Sequence, residues 1–300
     1  MCGIAGYYAF GRQRPNKDAV TKMFIETQSR GKDASGFAYI NDHEELVVCK
    51  QPMEAKHFVR EDDWQSLELP KILIMHCRQG TQGKSSDNMN NHPVFTKSGW
   101  ALIHNGFIRN DHTLFKELPV DRDSEVDSEI LVKLLELGGD WDAGMKLIND
   151  IRGSLACAAV WKDAPDDLLL FRNSNPIVLA YDKDADILYF GSTKDVVEEG
   201  CSSSFSIRGF LFHKKPANIT IWDMPKDTGY LISKSGLVQK WDISDTDKSY
   251  SYNENAWQHG NSYFPPKDNK ETCTVCGKKG LKSYAWINGK VTCHTCRIRS

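Results

Sequence analysis

The sequence has no apolar run approaching the ~18 uncharged residues that a membrane-spanning helix needs; its longest are short stretches such as Ile72–Met75 and Leu168–Phe171. It has no strong charge of one sign. The 38 basic and 40 acidic side chains leave a formal charge of −2, which excludes a uniformly basic or acidic chain. No repeat occurs at solenoid periods, and no Gly-x-Gly-x-x-Gly follows a strand pattern. The segment Gly80–Ser85 imitates a phosphate loop, but Arg78 stands where that spacing needs glycine, which argues against an ATP-binding loop. The opening MCGIAGYY lacks a basic and then apolar leader, so no secretory signal is expected and the cytoplasm is the expected compartment. Nine cysteines are an odd number, too widely spread for a disulfide scaffold, and fit a reducing environment.

What is present is an ordinary globular composition, 40% hydrophobic and 26% charged, in a chain of 300 residues. Such a length can bury about three quarters of its unfolded surface without staples. Short runs rich in Val, Ile, Leu and aromatics, bounded by Gly, Pro, Asn and Asp, predict strands. They are Ile4–Phe10, Gly36–Ile40, Leu46–Lys50, Ile72–His76, Trp100–His104, Leu155–Val160, Leu168–Phe171, Ile177–Tyr181, Ile187–Phe190, Ile207–Phe212, Ile219–Trp222, Tyr230–Ser233 and Val238–Trp241. Helical spacing predicts helices over Ala19–Gln28, Val126–Leu137 and Ala143–Ile151, the second capped by Ser124 with Asp127 three residues on. Many strands with few helices predict an α+β fold rather than a parallel doubly wound sheet.

Three regions follow: residues 1–242, a linker or arm over 243–271, and a terminal module over 272–300. The middle region has no apolar period and carries Tyr250, Tyr252, Trp257 and Phe264, which could pack on the first domain. From Lys267 to Ser300, eight Lys/Arg face two acids, so a basic end follows an acidic body.

Cys2 is the first chemical signal. Removal of Met1 would leave a thiol and a free α-amine on one carbon. An α-amine titrates near ~8 and can take the thiol proton and later return it to a leaving nitrogen. The other reading is a buried cysteine opening the first strand.

Four further segments accompany it. CGIAGYY at Cys2, SRGKDASG at Ser29–Gly36, MHCRQGTQG at Met75–Gly83 followed by NNHPV, LIHNGFIRN at Leu102–Asn110 and SEVDSEIL at Ser124–Leu131 resemble, in order, the motifs of the class II glutamine amidotransferase domain. That N-terminal nucleophile family stands at the front of glucosamine-6-phosphate synthase and amidophosphoribosyltransferase. Weaker echoes lie at Gly153–Ala156, Arg172–Pro176 and Gly191–Thr193, so the likeness covers roughly residues 2–242. It implies an N-terminal nucleophile hydrolase fold, a four-layer αββα sandwich, and an enzyme that hydrolyses glutamine.

The resemblance implies roles by position. Cys2 is the nucleophile. The Asn105 side-chain amide and the Gly106 backbone N–H form the oxyanion hole. Arg78 clamps the glutamine carboxylate, and Asp127 pairs with its ammonium. Thr81 and Gly83 line the substrate, and Arg30 supports the Cys2 end. Each has a plainer reading: a salt-bridge arginine for Arg78 and Arg30, a helix-dipole charge for Asp127, an Asn-Gly turn for Asn105-Gly106. His92 and His104 read as supporting or packing residues, because the amine already supplies a base. Gln79 and Gln82 stand where the family often has Trp and His, which bears on lid closure more than on chemistry.

Family enzymes usually carry a synthase domain that consumes the ammonia. No phosphosugar, phosphoribosyl or pyrophosphatase motif follows here, so the acceptor chemistry is expected on a separate polypeptide.

In the terminal module, Cys273, Cys276, Cys293 and Cys296 form Cys-x₂-Cys-x₁₆-Cys-x₂-Cys, a spacing within the structural Zn²⁺ range. Trp286–Val291, with Asn288-Gly289 at its centre, predicts a two-residue hairpin. The expected product is a zinc ribbon that folds on its metal. Its basic charge, with Tyr284 and Trp286 taken as exposed, would permit nucleic-acid contact. The other reading is a docking module for the acidic first domain or for a protein partner. Two rival functions stay open: an N-terminal nucleophile amidohydrolase on another amide, and an inactive zinc-dependent nucleic-acid or assembly module.

Overall fold

The computed structural model describes residues 1–204, 218–243, 272–281 and 284–297. The predicted strand Ile207–Phe212 and the aromatic arm lie outside the described residues. Two antiparallel sheets face each other, with helices on both outer faces, which is the αββα sandwich of N-terminal nucleophile hydrolases.

The first sheet is built from β1 (Gly3–Ala9), β2 (Ala34–Ile40), β3 (Leu46–Gln51), β4 (Ile72–Arg78), β11 (Val178–Asp182), β12 (Ile187–Gly191) and β13 (Ile219–Asp223). The hairpin β16 (Tyr284–Ile287) and β17 (Lys290–Cys293) completes it, in the order β13-β11-β12-β1-β4-β2-β3-β16-β17. The second sheet holds β5 (Val94–Phe95), β6 (Trp100–His104), β9 (Ala156–Trp161), β10 (Ala164–Arg172), β14 (Thr228–Ser233) and β15 (Gly236–Asp242), ordered β15-β14-β10-β9-β6-β5. A small pair, β7 (Phe107–Ile108) and β8 (Gly153–Ser154), sits beside it.

Alternation along each strand explains the layering, because successive side chains point to opposite faces. In β1, Ile4 and Tyr8 enter the core between the sheets. Ala5, Tyr7 and Ala9 enter the core under the outer helices. Those helices are α1 (Lys17–Thr27), α2 (Ala55–Phe58), α3 (Asp62–Gln65) and α7 (Lys194–Gly200). On the other side, α4 (Asp111–Glu117), α5 (Glu129–Gly138) and α6 (Trp141–Ile148) close a third core around Ile130, Leu134, Met145 and Phe171. A sheet covered on both faces loses the polar alternation of an exposed strand, which is why these segments read as continuous apolar runs.

Helix ends depart from expectation. Asn16 caps α1 through Oδ1, which accepts from the Asp18 and Ala19 amides, and Asp140 caps α6 by accepting from the Ala143 amide. The expected box at Ser124 and Asp127 does not form. Helix α5 starts at Glu129, whose carboxylate reaches back to accept from the Asp123 and Ser124 amides (both 2.7 Å) and from the Ser124 hydroxyl (2.6 Å). The carboxylate of Glu129 therefore ties down the approach to the helix, and Asp127 is left for another partner.

Candidate active site

Strand pairing assembles the site. In the antiparallel β1–β4 pair, Gly3 lies opposite Cys77, so the next step in register brings Cys2 to Arg78, where β1 begins and β4 ends. Strand β6 crosses this pair in the facing sheet and ends at His104, delivering Asn105 and Gly106; the His104 carbonyl contacts His76 Nε2 at 3.0 Å. Asp127 arrives just before α5.

Cys2 is half-buried, with Sγ directed to the Gln79 carbonyl at 3.5 Å. Arg30 Nε donates to the Cys2 carbonyl at 2.9 Å, so Arg30 holds the Cys2 backbone. Burial pushes the Cys2 thiol up from its ordinary value. The Gln79 contact, Arg78 and the chain's amino terminus oppose that shift, and Asp127 adds to it. The thiol thus feels Arg78 and Asp127 together.

Arg78 is buried and its fork is held in place. Nη1 donates to Asn91 Oδ1 at 3.1 Å, and Nη2 donates to the carbonyls of Gln82 and of Gly83, the latter at 2.9 Å. Burial pulls its pKa down, while Cys2, Asp33, Asp127 and Glu125 favour its charged form. Asp127 Oδ2 accepts from the Ile108 amide at 2.7 Å, and Oδ1 accepts from Ser128 Oγ at 3.2 Å. Thr81 lies exposed on the loop after β4, with Gly83 in the same loop.

Asn105 is buried, and its Nδ2 has no hydrogen-bond partner among the described residues. Its backbone is fixed on both sides: N–H donates to the Ala156 carbonyl at 2.9 Å, and its own carbonyl accepts from Ala156 N–H at 3.0 Å and from Asn175 Nδ2 at 2.9 Å. An unsatisfied buried amide nitrogen is uncommon in a native fold and calls for a reason. Gly106 packs so closely that a Cβ would lie 1.8 Å from the Ser154 carbonyl oxygen.

His76, His92 and His104 lie beneath, all buried, with the first two rings stacked at 4.2 Å. His104 pairs through Nδ1 with Ser128 Oγ at 2.8 Å and through Nε2 with the Ser154 carbonyl at 3.1 Å. Sequence reasoning assigned no role to Asn91, Asn175 or Asp33, whose Oδ2 accepts from the Gly80 amide at 2.7 Å. All three sit inside motif segments, where matching a pattern says nothing about which member holds which.

The four terminal cysteines also converge. Their sulfurs all lie within 4.8 Å of one another, and Cys276 and Cys293 are 3.8 Å apart. A tetrahedron with Zn–S near ~2.3 Å has sulfurs ~3.8 Å apart, so the donor set fits a metal ion. Asn288 (φ 47°) and Gly289 (φ 74°) form the expected turn, the left-handed pair a type I′ hairpin needs. One expectation is corrected. Tyr284 and Trp286 are not exposed; they are 6% and 4% accessible, packed in the core between the sheets. Strand β16 pairs with β3, Trp286 opposite Val48, and Arg297 Nη2 meets the buried Asp63 carboxylate at 2.8 Å. Neither ring can serve as a stacking platform, because both are spent on the first domain. No helix among the described residues is long and apolar enough to cross a membrane.

The fold and the comparisons support a class II glutamine amidotransferase domain, an enzyme domain with an N-terminal nucleophile hydrolase-like fold. Residues 82–199 match the family described as the glutamine amidotransferase domain. An isomerizing glutamine–fructose-6-phosphate aminotransferase from Bacteroides thetaiotaomicron is 31% identical over 197 residues, covering 61% of this chain and 31% of that protein. A 7-cyano-7-deazaguanine synthase from Sulfolobus acidocaldarius is 26% identical over 203 residues, covering 65% of this chain and 44% of that protein. The chain thus spans about a third of the first curated relative's length and under half of the second's. Among solved structures, the glutamine phosphoribosylpyrophosphate amidotransferase of B. subtilis superposes with a TM-score of 0.63 at 16% identity, covering 81% of this chain and 49% of that one.

Proposed function

We propose that this chain hydrolyses glutamine with Cys2 as nucleophile and supplies the ammonia to a separate synthase polypeptide. The observation that carries this reading is the Asn105 amide nitrogen at the end of β6, buried and unpartnered among the described residues, facing the strand pair that carries a thiol within the field of Arg78 and Asp127. With Met1 removed, the Cys2 amine takes the thiol proton, and sulfur attacks the side-chain carboxamide. The charge that develops on the amide oxygen is met by Asn105 Nδ2–H and the Gly106 N–H. The amine returns its proton to the leaving nitrogen, ammonia departs, and a γ-glutamyl thioester remains. Water attacks that thioester, releasing glutamate and the thiol. Arg78 binds the substrate carboxylate, Asp127 its ammonium, and the loop with Thr81 and Gly83 covers the remainder. Arg30 keeps Cys2 in line through its carbonyl.

The likeness to a protein named as a deazaguanine synthase supports a synthase as the consumer of ammonia. Cys273, Cys276, Cys293 and Cys296 hold a structural Zn²⁺, consistent with four converging sulfurs and a strand hairpin too small to fold alone. Nine cysteines, four of them gathered at one site and the rest spread along the chain, suit a reducing cytoplasm.

Intact-mass measurement and a coupled glutamate assay test the central reading. The expected result is a mature chain that begins at Cys2, releases glutamate and ammonia from glutamine, and loses this on Cys2→Ala. Retained Met1, or undiminished turnover in Cys2→Ala, rejects it. Assays on γ-substituted amides in parallel distinguish a glutaminase from a hydrolase of another amide.

A further inference from the structure

The four-cysteine module is linked through Asn88 to the residue that holds Arg78. The Tyr284 hydroxyl, on β16, accepts from Asn88 Nδ2 at 3.2 Å. Asn88 Oδ1 accepts from Asn91 Nδ2 at 2.9 Å, and Asn91 Oδ1 accepts from Arg78 Nη1 at 3.1 Å. Three consecutive side-chain hydrogen bonds therefore run from the metal hairpin to the guanidinium. A second link is parallel. Lys50 Nζ, fully buried, donates to the Asn91 carbonyl at 2.7 Å and to the Pro93 carbonyl at 3.1 Å, and it lies 5.2 Å from the centre of the Trp286 ring. Phe95 completes the packing, 5.5 Å from Trp286. Side chains in a buried network constrain one another, so fixing one end narrows the freedom of the other.

The hairpin itself is short. It extends the large sheet only through the edge of β3, with Trp286 opposite Val48 and Ile287 opposite Val47. The converging sulfurs bracket it, since Cys273 and Cys276 precede it and Cys293 ends β17.

We propose that the four-cysteine hairpin is a positioning element of the glutamine site, with Tyr284 and Asn88 holding Asn91, and through it Arg78, in register for the substrate carboxylate. This rests on the reading of Arg78 as the carboxylate clamp. Tyr284 and Asn88 are positioning residues here, since neither touches the substrate. Closing the metal site fixes the hairpin, the hairpin fixes residues 88–93, and that segment fixes the fork. Loss of the metal then weakens glutamine binding before it affects bond cleavage.

The test is Tyr284→Phe in the full chain, which keeps the ring against Trp286 and removes only the hydroxyl. Tyr181→Phe, which removes a hydroxyl bonded to Asp186 at 2.8 Å far from this network, is the control. Metal content and melting temperature establish that both variants are folded. The expected result for Tyr284→Phe is a KM for glutamine raised about tenfold with kcat within about twofold, the pattern of lost substrate binding. Its preference for glutamine over glutamine α-amide, which lacks the carboxylate, shrinks by the same order. Tyr181→Phe leaves both quantities unchanged. Hydrogen exchange over residues 80–93 provides a readout that needs no turnover, and it rises both in Tyr284→Phe and on chelation of the metal. An unchanged KM in an active, folded Tyr284→Phe overturns the proposal. If the parent chain does not hydrolyse glutamine, the glutaminase reading fails by itself. Exchange then decides the coupling: faster exchange over 80–93 supports it, and unaltered exchange overturns it.

Discussion

Gly106 has no room for a methyl group. A Cβ there would meet the Ser154 carbonyl oxygen at 1.8 Å and His104 Nε2 at 2.4 Å, so Gly106→Ala must move the backbone that carries the proposed donor. A displaced oxyanion donor typically costs about 10²–10³ in kcat, so steady-state kinetics on the folded variant should show a fall of about that size with a smaller change in KM. Near-parental kcat would place the donor elsewhere. Residue-level legibility was uneven. Cys2, Arg78, Asn105 and Asp127 were named because they stand at positions the motif resemblance marks, each with a group suited to its implied role. Asn91 could not, although it holds Arg78, because its value lies in a contact with a residue thirteen positions away through a folded loop. Gln79 stands where the family often has another residue; its carbonyl meets Cys2 Sγ, and its side chain donates to Asp33 at 3.2 Å.

At the scale of elements, caps decide where helices begin. Asp140 accepts from the Ala143 amide at 2.8 Å at the head of α6, whose Trp141 and Met145 face the core under the second sheet. Asp140→Ala should lower unfolding stability by about 1 kcal/mol, read as a shift in urea midpoint with unchanged slope. No shift would mean that packing alone fixes this helix. Periodicity had located α5 and α6, yet their starts were misplaced by two or three residues. A side chain such as Ser124 qualifies for a cap by type alone, and only the fold reveals that Ser128 stands at the N-cap without a side-chain bond while Glu129 ties back Ser124 from inside the helix. The strands were legible wherever both faces are covered, because continuous apolar runs mark them. The hairpin at Asn288-Gly289 was legible from its turn chemistry, but its docking on β3 was not, since nothing in an isolated strand announces which edge it will pair with.

The whole molecule stores a pH dependence between its two sheets. His76 is pushed down to about 3, chiefly by burial, with Arg78, His104 and Lys50 also disfavouring its charge and the contact to the His104 carbonyl opposing the shift. His92 is displaced well down and His104 down, in each case chiefly by burial; the nearby Asp127 opposes the shift only for His104. In the unfolded chain each imidazole titrates near its ordinary ~6.5. Above that pH both states are neutral and the histidines add no pH slope. As pH falls below it, the unfolded chain binds protons that the folded chain refuses, so stability declines by about 1.4 kcal/mol per pH unit for each histidine that stays neutral. For His76 the decline continues until pH approaches 3. Urea midpoints at pH 7, 6 and 5 should therefore drop steadily. Other groups also change charge in acid, so the informative quantity is the difference between the parent chain and His76→Gln. That variant keeps a donor toward the His104 carbonyl and removes one titrating ring. Its slope between pH 6 and 5 should be shallower by about one proton's worth, and identical slopes would show that His76 is charged in the folded protein after all.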